Sequence, residues 1–114
     1  MNESKSPLTR QVARVAGALQ QKGTGVAPKA VTAILSEDTL VVTLDDALTP
    51  AEKTLICTPQ GAAQVQEFHR QLFASSSNSM RQEIKKITGR EVREATVEIE
   101  TETGAIAHAF NSGA

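Results

Sequence analysis

Leu8, Val12, Val15 and Leu19 recur at helical spacing after Ser6-Pro7, a cap residue followed by a first-turn proline, and predict an amphipathic helix ending near Gly23. Gly23-Thr24-Gly25-Val26-Ala27-Pro28 then reads as a loop. Val31, Ala33 and Leu35 alternate with their neighbours, and the run Thr39 to Leu44 is strongly β-branched, which predicts an antiparallel hairpin turning at Ser36-Glu37-Asp38. Leu40, Val41, Val42 and Leu44 put apolar side chains on both faces of its second strand, so helices should cover one face and a second subunit the other.

Thr49-Pro50-Ala51-Glu52 is the strongest local signal, a capping box in which Thr49 and Glu52 satisfy each other's backbone donors while Pro50 presets the first turn. Thr58-Pro59 repeats the cap and proline, so the second helix is short and a third leaves at an angle. Val65, Phe68 and Leu72 form the expected buried stripe of that helix. Ser75 to Ser79 reads as a break, yet Met80, Ile84 and Ile87 continue the stripe if the helix runs on, and the pattern leaves both options open. Gly89 is placed as the C′ glycine, with Lys85 and Lys86 at the negative end of the helix dipole. Val97 and Ile99 alternate with Thr96, Glu98 and Glu100 before a turn at Glu102-Thr103-Gly104 and a last strand to Phe110. The order α-β-β-α-α-β-β predicts an α+β two-layer sandwich, an antiparallel four-stranded sheet with helices packed on one face, in a single domain over 1–114.

With Phe68, Phe73 and Phe110 as its sole aromatics, the core rests on Ala, Val, Leu and Ile, and a small core of that kind favours burial against a second copy of the chain. A net charge of −1, with no Trp or Tyr, argues against nucleic acid as a partner. The single cysteine fits a reducing cytoplasm. The polar start MNESKSPLTR lacks the apolar core of a signal peptide, and no stretch approaches the roughly 18 apolar residues of a membrane span, so any membrane contact should be peripheral.

Candidate chemistry is sparse. Cys57 and His69 could form a thiol and base pair, but their spacing does not enforce it, and a small buried cysteine is the plainer reading. His108 shares a strand face with Ile106 and Phe110 and reads as a partly buried structural histidine. Glu94, Glu98, Glu100 and Glu102 could attract a hard cation, although a solvated strand face that resists edge pairing accounts for them, and no metal or cofactor is assigned. Gly23-Thr24-Gly25 follows a helix and leads to a strand, the reverse of a phosphate loop. Arg10, Arg14 and Lys22 give the first helix a mildly basic face, read as solvated. Arg70 lies at the edge of the predicted stripe, where its fork could pair with a neighbouring element or hold an anion.

Gly25, Pro28-Lys29, Leu48-Thr49-Pro50-Ala51-Glu52-Lys53, Arg70 and Ile87-Thr88-Gly89 together resemble the MpsC-like family of small bacterial domains over about residues 8–110. That resemblance implies association with a cation-translocating, membrane-potential-generating system also linked to inorganic-carbon uptake. Two departures stand out against the resemblance. Thr24 replaces the arginine of a tight Gly-Arg-Gly-Pro loop with Val26-Ala27 inserted before Pro28, and Glu98 stands where relatives often carry Asp. The combined expectation is a non-enzymatic, homo-oligomeric accessory or regulatory protein of a membrane transport complex. The alternatives are a small-anion or small-ligand sensor with a pocket between the sheet and the third helix, using Lys29 and Arg70, and an enzyme using Cys57 or His69.

Overall fold

The computed structural model describes residues 7–113, so the Ser6 cap expected for the first helix lies outside the described residues. α1 (Pro7–Thr24) precedes a hairpin of β1 (Ala30–Ser36) and β2 (Thr39–Asp45). α2 (Pro50–Leu55) and α3 (Pro59–Thr88) lead to a second hairpin of β3 (Glu94–Ile99) and β4 (Ile106–Asn111). The fold is the expected α+β sandwich, in the order α-β-β-α-α-β-β, with one antiparallel sheet ordered β1-β2-β4-β3 and the helices on one face. The later strand of each hairpin is central, and β2 and β4 pair from Thr39 against Asn111 to Leu44 against Ile106.

Period-two alternation sorts the strand residues cleanly. Leu44, Ile106 and Ile99 form one inward row, Val42, His108 and Val97 the next, and Leu40, Phe110 and Ala95 the third. Val12 and Ala16 of α1 and Val65, Phe73, Met80 and Ile84 of α3 close the core over them. The opposite face carries the row Ile34, Val41, Ala109 and Thr96, flanked by Thr32, Thr43, Ala107 and Glu98. No described helix covers it, and Ile34 is 47% exposed.

Three sequence expectations need correction. α1 does not stop at Gly23: that residue stays helical and packs on Leu72, and the helix ends where Gly25 adopts φ 79° and its N–H reaches the Gln21 carbonyl. α1 buries Thr9, Val12, Ala16 and Gln20, with Val15 and Leu19 at the margin and Leu8 exposed, while Arg10, Arg14 and Lys22 face solvent. On α3 the inward stripe is Gly61, Val65, His69, Phe73, Met80 and Ile84, so Leu72 is marginal and Phe68 is half exposed. Hydrophobicity alone turned the helix toward Phe68, whereas the fold turns it toward His69.

α3 passes through Ser75 to Ser79 without a break. Ser75, Ser76 and Ser77 hydroxyls donate to the carbonyls of Leu72, Phe73 and Ala74, and the apolar residues on both sides bury against one sheet, which outweighs a helix-propensity deficit of a few tenths of a kcal/mol per serine. Gly89 ends the helix at φ 78°, its N–H bonded to the Lys85 carbonyl. Gln66 ties α3 to the edge strand β3, donating from Nε2 to Val97 O (2.9 Å) and accepting from Ile99 N–H at Oε1 (2.8 Å).

Candidate functional site

The Thr49 cap does more than start α2. Glu52 N–H donates to Thr49 Oγ1 (3.2 Å) and Thr49 N–H to Glu52 Oε1 (2.8 Å), which is the capping box expected from Thr49, Pro50 and Glu52. Glu52 Oε2 remains, and it lies 2.6 Å from His69 Nε2, both residues being buried. With Glu52 ionised, Nε2 is the donor, so one carboxylate closes a helix cap and anchors the middle of α3. Gly61 permits this arrangement, since a Cβ there would overlap the Leu55 carbonyl where α2 approaches α3. Phe68 lies edge-on to the His69 ring at 5.3 Å and, with Leu55, Val65, Thr24 and Glu52, lines a mostly apolar groove of about 300 Å³.

On the other side of His69 lies a smaller cavity, about 70 Å³, between α1, α3 and β4. Gln20, His69, His108 and Phe73 line it, with Ser75 and Ser76 at its rim. The His108 ring centre lies 4.5 Å from that of Phe73 and 6.2 Å from that of Phe110, and the residue is buried, where its strand pattern predicted partial burial. Burial, followed by repulsion from His69, pushes its pKa from 6.5 down to about 4, so the ring is neutral at neutral pH. Among the described residues, Gln20 Nε2 and His108 Nδ1 are buried and have no protein hydrogen-bond partner, their residues being 8% and 7% exposed.

The residues singled out from sequence are dispersed. Lys29 is exposed before β1, its N–H bonded to Asp45 O, and its charge helps hold the Asp46 carboxyl below the usual range, after the closer Lys53. Arg70 is exposed on α3 and pairs within its own helix, through Nε and Nη2, with both oxygens of Glu67 (2.9 and 2.6 Å). The expected tie from Arg70 to a neighbouring element is therefore not made, and no described pocket holds both Lys29 and Arg70. Arg70 and neighbouring Gln71 depress the Glu67 carboxyl to about 2. Cys57 is exposed, not buried, with Sγ 3.5 Å from Lys53 O, and His69 is bonded to Glu52 instead of the thiol. Glu94, Glu98, Glu100 and Glu102 are exposed around β3 and its turn. Among the described residues, no helix is long and apolar enough to cross a membrane.

Sequence reasoning missed Gln20 and the alliance of Glu52 with His69. The available signal was spacing: His69 falls on the same helical line as Val65 and Phe73, a polar residue at an inward position that needs a partner. A family model described as Na+-translocating membrane potential-generating system (MpsC) matches residues 4–111. No curated protein and no solved structure matches the chain.

Proposed function

The chain belongs to the MpsC family, and from that premise we propose that it is a non-enzymatic, self-associating accessory or regulatory subunit of the Na+-translocating membrane system its family is named for. The observation that carries this reading is the uncovered face of the sheet. Ile34, Val41, Ala107 and Ala109 present small or β-branched apolar side chains there among Thr32, Thr43 and Thr96, and its charges lie at the margins, Glu94 and Glu98 on the β3 edge and Asp45 at the end of β2. Such a face fits a second copy of the same chain. About a two-fold axis parallel to the strands, the acidic β3 row of one copy lies over the uncharged β1 row of the other, so like charges do not meet. Burial against a partner also complements a core that relies on few aromatics.

The subunit then acts by contact: its one thiol is exposed against the Lys53 carbonyl, and His69 is committed to Glu52. Sedimentation of the parent and of Val41→Glu tests the reading directly. The parent should sediment as a dimer or larger and Val41→Glu as a folded monomer, and the parent should recover cation-translocating subunits from mildly solubilised membranes. A parent that stays monomeric at all concentrations and recovers none of those subunits would overturn it.

A further inference from the structure

The two edges of the sheet are finished differently. On β3 the side chain of Gln66 takes up the Val97 carbonyl and the Ile99 N–H, and Glu94 and Glu98 add charge, so that edge resists another strand. On β1 the run Ala30 to Ser36 holds neither a charge nor a proline, and among the described residues no side chain bonds to its backbone. Ser36 and Thr39 close a two-residue turn and so form a hydrogen-bonded pair, which turns the N–H and C=O groups of Val31, Ala33 and Leu35 away from β2, toward the open edge. A row of that kind is a template for an added strand.

α1 supplies a second, independent observation. It lies over β1 beside α3, and Gly17 faces β1, where a Cβ would stand 3.3 Å from Val31 Cγ2. Leu19 lines the cavity shared with α3, so the line of α1 that runs through Gly17 is the flank away from α3, above the open edge. Arg10 and Arg14 fall on that line with Gly17, at i, i+4 and i+7. Both are exposed, and neither forms an ion pair with a described residue.

We propose that the β1 edge takes an extended acidic segment of a partner protein as a fifth strand, its carboxylates at alternate positions toward Arg10 and Arg14 and its uncharged side chains on the other face beside Ile34. A second copy is the poorer occupant. Pairing β1 with β1 about a two-fold axis at Ala33 sets the Arg10 and Arg14 ridges of the two helices against each other, so the arginines that attract an acidic strand repel a like chain. The edge is separate from the open sheet face, and the site does not rest on that face being covered.

NMR titration of the full chain tests this with a capped seven-residue peptide, the length of β1, that alternates glutamate with threonine and valine, beside its lysine counterpart. The acidic peptide should give saturable shifts at the Val31, Ala33 and Leu35 amides and slow their exchange with solvent, while the lysine peptide binds at least about tenfold more weakly. Arg10→Glu combined with Arg14→Glu changes two exposed positions that the fold does not use, and it should reverse that preference. The proposal is overturned if the β1 amides do not respond, if the two peptides bind equally, or if the charge-reversed protein keeps the parent's preference. It also fails if those amides become protected on raising the protein concentration alone, which gives the edge to a second copy. Phosphatidylserine vesicles that shift the α1 amides, with β1 indifferent to the peptide, would assign the arginines to a membrane surface instead.

Discussion

His69 and Arg70 are neighbours on α3, and each holds a glutamate oxygen at 2.6 Å, yet the two pairs occupy opposite environments. The side chains of His69 and Glu52 are 2% and 10% exposed, whereas those of Arg70 and Glu67 are 61% and 49% exposed. The exposed pair lies within one helix, competes with water and is screened by salt, and such pairs contribute little. The buried pair joins two helices and completes a cap, so removing either partner strands a polar group away from water. Equal distances thus conceal unequal importance, and the Arg70 that stood out in the sequence is the lesser of the two.

The most direct way to break this contrast is Glu52→Ala. A cap alone would account for about 0.5–2 kcal/mol, but leaving buried His69 without its partner brings the expected loss to about 3–5 kcal/mol, read from urea unfolding. Glu52→Gln, whose Oε1 can still accept from Thr49 N–H and whose amide nitrogen can donate to His69 Nε2 once the ring takes its other tautomer, should recover part of that loss. A Glu52→Ala loss no larger than a cap would show that the His69 contact adds nothing.

Acid titration sharpens the comparison at the neighbouring histidine. His108 has a folded pKa of about 4 against 6.5 when unfolded, so below 6.5 the unfolded chain binds more protons. The stability contributed by its neutral burial is full above pH 6.5, falls between about 6.5 and 4, and is absent below. The gap corresponds to roughly 3 kcal/mol. His108→Phe, compared with the parent across that window, should remove the slope, and parallel curves would refute the assignment. Gly61→Ala should cost about 1–3 kcal/mol by forcing α2 away from α3 and loosening the buried pair, seen as a lowered urea midpoint with retained helicity. At the other extreme, Arg70→Ala and Arg70→Lys should leave the midpoint unchanged at physiological salt. A marked loss in either would restore Arg70 as an architectural residue.

Much of the fold was legible because its signals are local. Pro50, Thr58-Pro59 and Gly89 fix helix ends through atoms a few residues apart, and strand alternation assigned Val97 and Ile99 to the core without reference to any partner. The candidate site was far less legible. Glu52 was visible as a cap residue, but its second oxygen meets a residue 17 positions away, and Gln20 and His108 meet at one cavity only because α1 lies across the sheet.

By itself, then, the sequence determined the element types, their order and the caps between them, since backbone sterics and hydrogen bonds within one helical turn or one strand pleat decide those matters. Tertiary structure decided the rotation of α3. A helix with Phe68 and Leu72 on one line and His69 and Phe73 on the next can turn either toward the core, and the choice fell to the line that could bury Phe73 against Phe110 while giving His69 a carboxylate. It also decided that Ser75 to Ser79 remain helical, because the apolar residues on both sides pack on one continuous sheet. Long-range packing and the pairing of buried polar groups settle such choices, and neither is encoded in any short window of the chain.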